Sequence, residues 1–278
     1  MRPIEDTTVL ITGATDGLGR SVAAHLAGLG AGVLVHGRDP GRTARTASEI
    51  RDSTGNERVE PHVADLADLA QVRRLADEVE GSQARLHVLI NNAGIGSGLP
   101  ESRNRQESRD GYELRFAVNY LAGFLLTERL LRLLRRSAPA RIVNVASLGQ
   151  QPIEFDDPML THGYAGVRAY GQSKLAQIMH AIELSRRVPP NEVTANSLHP
   201  ATFMPTKIVL EEAGRSIDTL ETGTAAVARL AVDPGLEGVS GRFFDRQSEA
   251  AADPQAYDDD ARTRLWALSE RLVGAAVA

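Results

Sequence analysis

Seven short apolar runs, each separated from the next by a stretch of helical spacing, constrain this chain more than any other feature. The runs are Thr8-Val9-Leu10-Ile11, Val33-Leu34-Val35, 59–63, Leu86-His87-Val88-Leu89-Ile90, Arg141-Ile142-Val143-Asn144-Val145, 193–198 and Gly241-Arg242-Phe243-Phe244. Their length and β-branched content mark them as strands. Helices are predicted over about 19–29, 43–52, 69–79, 111–136 and 170–187, with Gly30 placed to end the first. A strand that is apolar on both faces needs cover on both faces, and helical crossovers between consecutive strands make them parallel. The expectation is an α/β protein: a doubly wound parallel sheet of about seven strands with helices on both faces, in a single domain over 1–278. The runs Asp156-Asp157 and Asp258-Asp259-Asp260, and the stretch 101–110, read as solvated loops.

Composition narrows the function. Apolar residues are 42% of 278, with 25 glycines, and 31 basic against 36 acidic residues leave a net charge of −5. That balance belongs to a well-cored globular protein and excludes disorder and collagen-like repeats. With no cysteine, disulfides, a thiolate nucleophile and cysteine-bound zinc are excluded, and no metal is expected. The mild acidity offers no basic patch for a nucleic-acid backbone. No segment reaches the roughly 18 apolar residues of a membrane span. Met1-Arg2-Pro3-Ile4-Glu5-Asp6 lacks the basic start and apolar run of a secretion signal. A cytoplasmic protein acting on a small molecule, without nucleic acid or membrane insertion, is the expectation.

Between the first strand and first helix lies Thr12-Gly13-Ala14-Thr15-Asp16-Gly17-Leu18-Gly19, spaced G-x-x-x-G-x-G. Glycines there permit a tight turn and let a pyrophosphate approach the backbone at a helix N-terminus. The pattern alone also suits a ligand-free turn; its place directly after strand one favours a dinucleotide. Taken with Asn91-Asn92-Ala93-Gly94 after strand four, Ser147 after strand five and Tyr170-Gly171-Gln172-Ser173-Lys174, the turn resembles the short-chain dehydrogenase/reductase family from about 8 to 206. The resemblance implies a Rossmann-like sheet and a nicotinamide dinucleotide. It assigns cofactor contacts to Gly13, Thr15, Asp16, Gly17, Leu18 and Gly19 in the turn, and to Asp65 and Leu66 beside the adenine. It adds Asn92, Ala93 and Gly94 beside the ribose, Tyr170 and Lys174, and Pro200, Thr202 and Thr206 after strand six. Asp65 is equally suited to capping the helix that follows it. Relatives usually show Pro-Gly where this chain has Pro200-Ala201.

The end of strand two bears on the cofactor's 2′ position. Val35-His36-Gly37-Arg38 lacks the carboxylate that binds ribose hydroxyls in NAD-preferring proteins. Arg38 has the planar guanidinium that suits a 2′-phosphate, so NADP(H) is favoured over NAD(H); its alternative is a solvated loop charge. Asp16 pulls the other way, because relatives that prefer NADP often carry a basic residue just before the second glycine.

Tyr170 and Lys174 stand four apart on a predicted helix and so share a face. Tyrosine titrates near ~10, too high for acid/base work at neutral pH, and a nearby ammonium lowers it. On its own such a pair is an ordinary helix-surface pattern. The resemblance makes Tyr170 the proton donor and acceptor, Ser147 a hydrogen-bond partner of the substrate carbonyl, and Asn119 the support of a water relay to Lys174. A structural amide within its helix is the other reading of Asn119. His199, at a strand end, reads as structural ahead of catalytic, and His162 is weaker still.

Ser147 and Tyr170 lie 23 positions apart, farther than in many relatives. With Asn119-Tyr120-Leu121-Ala122-Gly123-Phe124-Leu125-Leu126-Thr127, that longer loop resembles the retinol dehydrogenase-like and WW-domain oxidoreductase-like branch. The branch implies a lipophilic aldehyde or ketone. Phe155, Met159, Leu160, Tyr164, Phe203, Met204, Ile208, Val209 and Leu210 are either walls of its pocket or ordinary core. The function expected is NADP(H)-dependent interconversion of a carbonyl and an alcohol; the alternative is a non-catalytic NADP(H)-binding regulator of the same fold. Both a homodimer and a monomer remain open.

Overall fold

The apolar runs pair into one sheet in the computed structural model, which describes residues 3–97, 104–205 and 216–274. Its strands are β1 (Thr8–Ile11), β2 (Gly32–Gly37), β3 (Val59–Val63), β4 (Val88–Asn91), β5 (Ala140–Val145), β6 (Val193–His199), β7 (Phe243–Asp245) and β8 (Ser248–Ala250). Their order across the sheet is β3-β2-β1-β4-β5-β6-β7-β8. All neighbours are parallel except β7 and β8, which form an antiparallel edge. The expected seven strands are one short, because Ser248-Glu249-Ala250 is polar and partly exposed and carries no apolar run to mark it.

Side chains of a strand point alternately to opposite faces. In β1 this sends Leu10 into one core and Val9 and Ile11 into the other, all fully buried. Helices α1 (Gly17–Gly28), α2 (Pro40–Thr54) and α6 (Leu220–Val232) cover the Val9 face. Helices α3 (Leu69–Ser82), α4 (Ala122–Arg136), α5 (Gly166–Arg187) and α7 (Asp259–Val273) cover the Leu10 face. The strand order reverses direction at the β1–β4 junction, and such a switch point opens a crevice beyond the carboxyl ends of the strands.

Two helical expectations need correction. The run Asp258-Asp259-Asp260 is the start of α7 instead of a loop: Asp258 caps the helix, accepting from the backbone N–H of Asp260 and Ala261. The helix predicted from 111 begins later, because Glu113 forms a backbone bridge with Glu107. It then passes through a π-helical segment, Phe116–Leu121, before becoming α4. Among the described residues, no helix is long and apolar enough to cross a membrane, and no cluster of side chains could hold a metal ion.

Candidate active site

The turn after β1 is built around contacts that only glycine permits. Gly13 adopts φ +65°, and a Cβ there would lie 2.8 Å from Ala93 Cα. A Cβ on Gly19, in the first turn of α1, would lie 2.2 Å from the Gly13 carbonyl oxygen and 2.5 Å from Asn92 Nδ2. Asn92 holds this approach by donating from Nδ2 to the carbonyls of Thr12 and Gly13, at 2.9 and 3.2 Å. Thr12 Oγ1 accepts from the N–H groups of Asn92 and Ala93, both at 3.0 Å. His36 braces the turn from β2. Its Nδ1 accepts from Gly13 N–H at 3.2 Å and its Nε2 donates to the Ala64 carbonyl at 3.0 Å. Burial pushes this imidazole down to about 4, which keeps it neutral in that role.

The sides of the turn carry the remaining predicted contacts. Thr15 is half-buried and packs on Gly37, and Leu18 is buried. Asp16 is exposed; it accepts from Gly17 N–H at 2.8 Å and from Arg42 Nη2 at 3.2 Å. Arg38 is exposed, and its side chain makes no hydrogen bond or ion pair among the described residues. Asp65 does not cap α3: its Oδ1 accepts from Ala67 N–H, while Asp68 caps the helix through Ala70 and Gln71 N–H. Leu66 is buried beside it. First-turn amides with a glycine cradle in front of them fit a pyrophosphate.

A second set gathers beyond β4 and β5. Lys174 is buried, and its Nζ donates to the Val145 carbonyl at 2.8 Å and to Gln177 Oε1 at 3.0 Å. Desolvation pushes this ammonium down to about 7. Its Nζ lies 5.6 Å from the centre of the Tyr170 ring, one helical turn away on α5. A Cβ on Gly149 would sit 3.5 Å from Ser147 Oγ and 3.8 Å from Tyr170 Cε1, so both groups border that residue. Asn119 lies in the π-helical segment. Its Oδ1 accepts from Ile95 N–H at 2.8 Å, and its Nδ2 donates to the Ile95 carbonyl and to Ser173 Oγ at 3.1 and 2.9 Å. A Cβ on Gly94 would lie 3.3 Å from Asn119 Oδ1 and 3.6 Å from Lys174 Nζ. Gly94, Asn119 and Lys174 therefore meet at one point, and π-helical turns often mark such sites.

Beyond β6, Pro200 is buried, and Thr202 N–H donates to Asp218 Oδ2 at 2.7 Å. Thr202 Oγ1 lies 3.1 Å from His199 Nε2 and accepts from Arg246 Nη2 at 3.3 Å. His199 is thus engaged in holding this segment, as a structural histidine would be. His162 is exposed and touches Thr161 and Asp157. Thr206, Ile208, Val209 and Leu210 lie outside the described residues.

Most of the pocket-wall candidates turn out to be core or polar ties. Leu160 is fully buried, Phe155 and Met159 pack against the Leu10-side core, and Met204 is buried against Leu18 and Gly223. Tyr164 places its hydroxyl on Glu113 and Arg115. Of the described candidates only Phe203 stays exposed, joined by residues not singled out from sequence: Leu148 beside Ser147, Val167 one turn before Tyr170, and Ile217, whose N–H donates to the Phe203 carbonyl. Gln177, Asp218 and Arg246 were also missed. Gln177 is one turn from Lys174 and could have been flagged by spacing.

Residues 7–214 match the model of the short chain dehydrogenase family, and the chain belongs to it. It is similar to human retinol dehydrogenase 13, with 37% identity over 98% of this chain and 86% of that one. It is also similar to the WW domain-containing oxidoreductase of Danio rerio, with 33% identity over 97% of this chain and 69% of that one. Among solved structures, a short chain dehydrogenase from Escherichia coli CFT073 complexed with NADPH superposes with a TM-score of 0.71 at 25% identity, covering 87% of this chain and 97% of that one. These likenesses place the chain in the retinol dehydrogenase-like branch of the family, as a nicotinamide-dependent oxidoreductase acting on CH–OH groups.

Proposed function

We propose that the protein interconverts a lipophilic alcohol and its aldehyde or ketone with NADP(H), Tyr170 carrying the proton. The observation that carries this reading is the convergence of Gly94, Asn119 and buried Lys174 one helical turn from Tyr170, with Ser147 bordering the same ring through Gly149. Ser147 Oγ hydrogen-bonds the substrate oxygen, and the Tyr170 hydroxyl delivers or takes the proton there. Lys174 favours the phenolate while charged, and a phenolate nearby favours the ammonium in turn. The bound nicotinamide supplies or accepts the hydride. Gly13 to Gly19 would hold the pyrophosphate, Asp65 and Leu66 the adenine, Lys174 the ribose and Thr202 the carboxamide. Arg38 would pair with the 2′-phosphate; its uncommitted guanidinium and the neutralisation of Asp16 by Arg42 support NADP(H). Exposed Leu148, Val167, Phe203 and Ile217, close in sequence to these groups, support an apolar substrate, as do the names of the retinol dehydrogenases it resembles.

The test is a panel of retinal, decanal and cyclic ketones with NADPH and NADH, followed at the reduced nicotinamide band. Tyr170→Phe keeps the ring and should cost about 10²–10⁴ in rate while leaving NADPH affinity intact. Lys174→Ala should lower the rate, weaken NADPH binding and shift the basic limb of the pH profile upward. More than a tenth of wild-type activity in Tyr170→Phe overturns the assignment. No turnover across the panel, with tight NADPH binding, favours a regulator.

A further inference from the structure

Arg115 and Glu113 are 3% and 1% exposed, although neither belongs to the site described above. Charges are buried this deeply only when their partners are in place. The Arg115 guanidinium is used on three sides. Its Nε donates to the Gly96 carbonyl at 2.7 Å, its Nη2 to the Ser97 carbonyl at 3.0 Å, and its Nη1 to the Tyr164 hydroxyl at 2.7 Å. The Tyr164 hydroxyl donates in turn to Glu113 Oε1 at 3.0 Å, and Glu113 Oε2 accepts from Phe116 N–H at 2.7 Å. Burial and the Glu113 charge push the Tyr164 phenol up to about 12, so it remains a donor at working pH.

These bonds join three segments that are far apart in sequence. One is the loop after β4, where Asn119 already grips Ile95 and Arg115 takes the next two carbonyls. The second is the helix entry that carries Arg115 and Asn119. The third is the loop leading into α5. Gly166, the first residue of α5, packs so closely that a Cβ would lie 2.0 Å from the Ser97 carbonyl oxygen. Replacing a buried ion pair by apolar residues is often neutral for stability, so stability alone is a weak reason for this one. Its donors go to the loop that follows Gly94 and to the loop that precedes Tyr170, which flank the site on its two sides.

We propose that Arg115, Glu113 and Tyr164 form a positioning clamp that locks the loop after β4 against the start of the Tyr170 helix and so fixes the substrate side of the site. The consequence for turnover rests on the oxidoreductase reading; the clamp itself does not. Tyr164→Phe keeps the ring and removes the bridging hydroxyl, and Arg115→Lys keeps the charge but loses the fork. Hydrogen exchange of cofactor-free protein should accelerate about tenfold at the amides of Ile95 and of 169–171 in both variants, and stay unchanged in β2 and β3; tenfold corresponds to about 1.4 kcal/mol. With decanal, KM should rise and kcat fall, while the NADPH dissociation constant stays within about twofold, since the glycine turn and Arg38 lie elsewhere. If Arg115→Lys fails to fold, Tyr164→Phe decides alone. A lowered Tm with unchanged exchange at both segments overturns the clamp, as does acceleration spread over the whole sheet. If wild-type protein turns over no carbonyl, the exchange arm still decides the clamp and only the functional reading falls.

Discussion

Arg38 and Gly37 show how far single residues can be read before their neighbours are known. The absence of an acid at the end of β2 is visible in sequence, and so is Arg38. The partner of Asp16 is not, because Arg42 reaches it from the next helix. Arg38→Ala should reduce the preference for NADPH over NADH by about tenfold, roughly 1.4 kcal/mol, as expected for one charge-assisted pair; titration of cofactor fluorescence with both nucleotides measures it. The intuitive complement, an aspartate at Gly37, is closed off by packing. A Cβ there would lie 2.4 Å from Thr15 Cγ2 and 2.5 Å from Thr43 Oγ1. Gly37→Asp should therefore weaken both nucleotides and create no NADH preference. Ser147, Tyr170 and Lys174 were legible only together with the glycine turn, because a pair four apart on a helix is by itself an ordinary surface pattern. Glu113, Arg115 and Tyr164 were not, since a buried charge cannot be told from a solvated one until three separate segments have met.

Elements were legible mostly where burial imposed a pattern; α6, whose buried face is largely alanine, was not among the predicted helices. The inner strands are buried along nearly their whole length and were all found; β8 is a short polar edge and was not. The C-terminal helix α7 was hidden by its own start signal, an aspartate run that resembles a solvated loop. Asp258 accepts from two amides that have no intrahelical partner, so Asp258→Ala should cost about 1 kcal/mol. Urea unfolding measures that loss, and turnover should be unaffected. A cost within experimental error would mean that α7 is held by Leu265 and Trp266 against the core rather than by its cap. The π-helical segment left no periodicity signal either. Its wider turn puts Asn119 on Ile95 and Ser173 at once, which a sequence read at 3.6 residues per turn does not reveal.

At the scale of the whole molecule, half-buried Glu128 and buried Lys174, on different seams, set opposing pH responses. Glu128 on α4 is pushed up to about 7 by burial first, then by Glu270, with Arg187 opposing. That seam is closed by Trp266, which donates to Glu270 at 2.7 Å under the Arg187 guanidinium. Between its ordinary value of 4.5 and about 7 the folded protein holds the Glu128 proton more tightly than the unfolded chain, so this group's contribution to stability falls as pH rises through that window. Lys174 is pushed down to about 7 from 10.5, so the unfolded chain binds the extra proton between those values and stability is regained as pH rises. His36 and His180, pushed down to about 4 and about 3 by burial, favour the folded state increasingly up to 6.5 and overlap the Glu128 window. Differences against wild type separate the contributions. In cofactor-free protein, the stability of Glu128→Gln relative to wild type should grow from about pH 5 to about pH 7 and then level off. The difference for Lys174→Met should be flat below about pH 7 and decline steadily toward about pH 10. Urea unfolding across that range measures both. A Lys174→Met difference that stays constant from about pH 7 to 10 would mean that the ammonium keeps its ordinary affinity for the proton inside the fold. The ammonium would then stay charged through neutrality and favour the Tyr170 phenolate throughout that range.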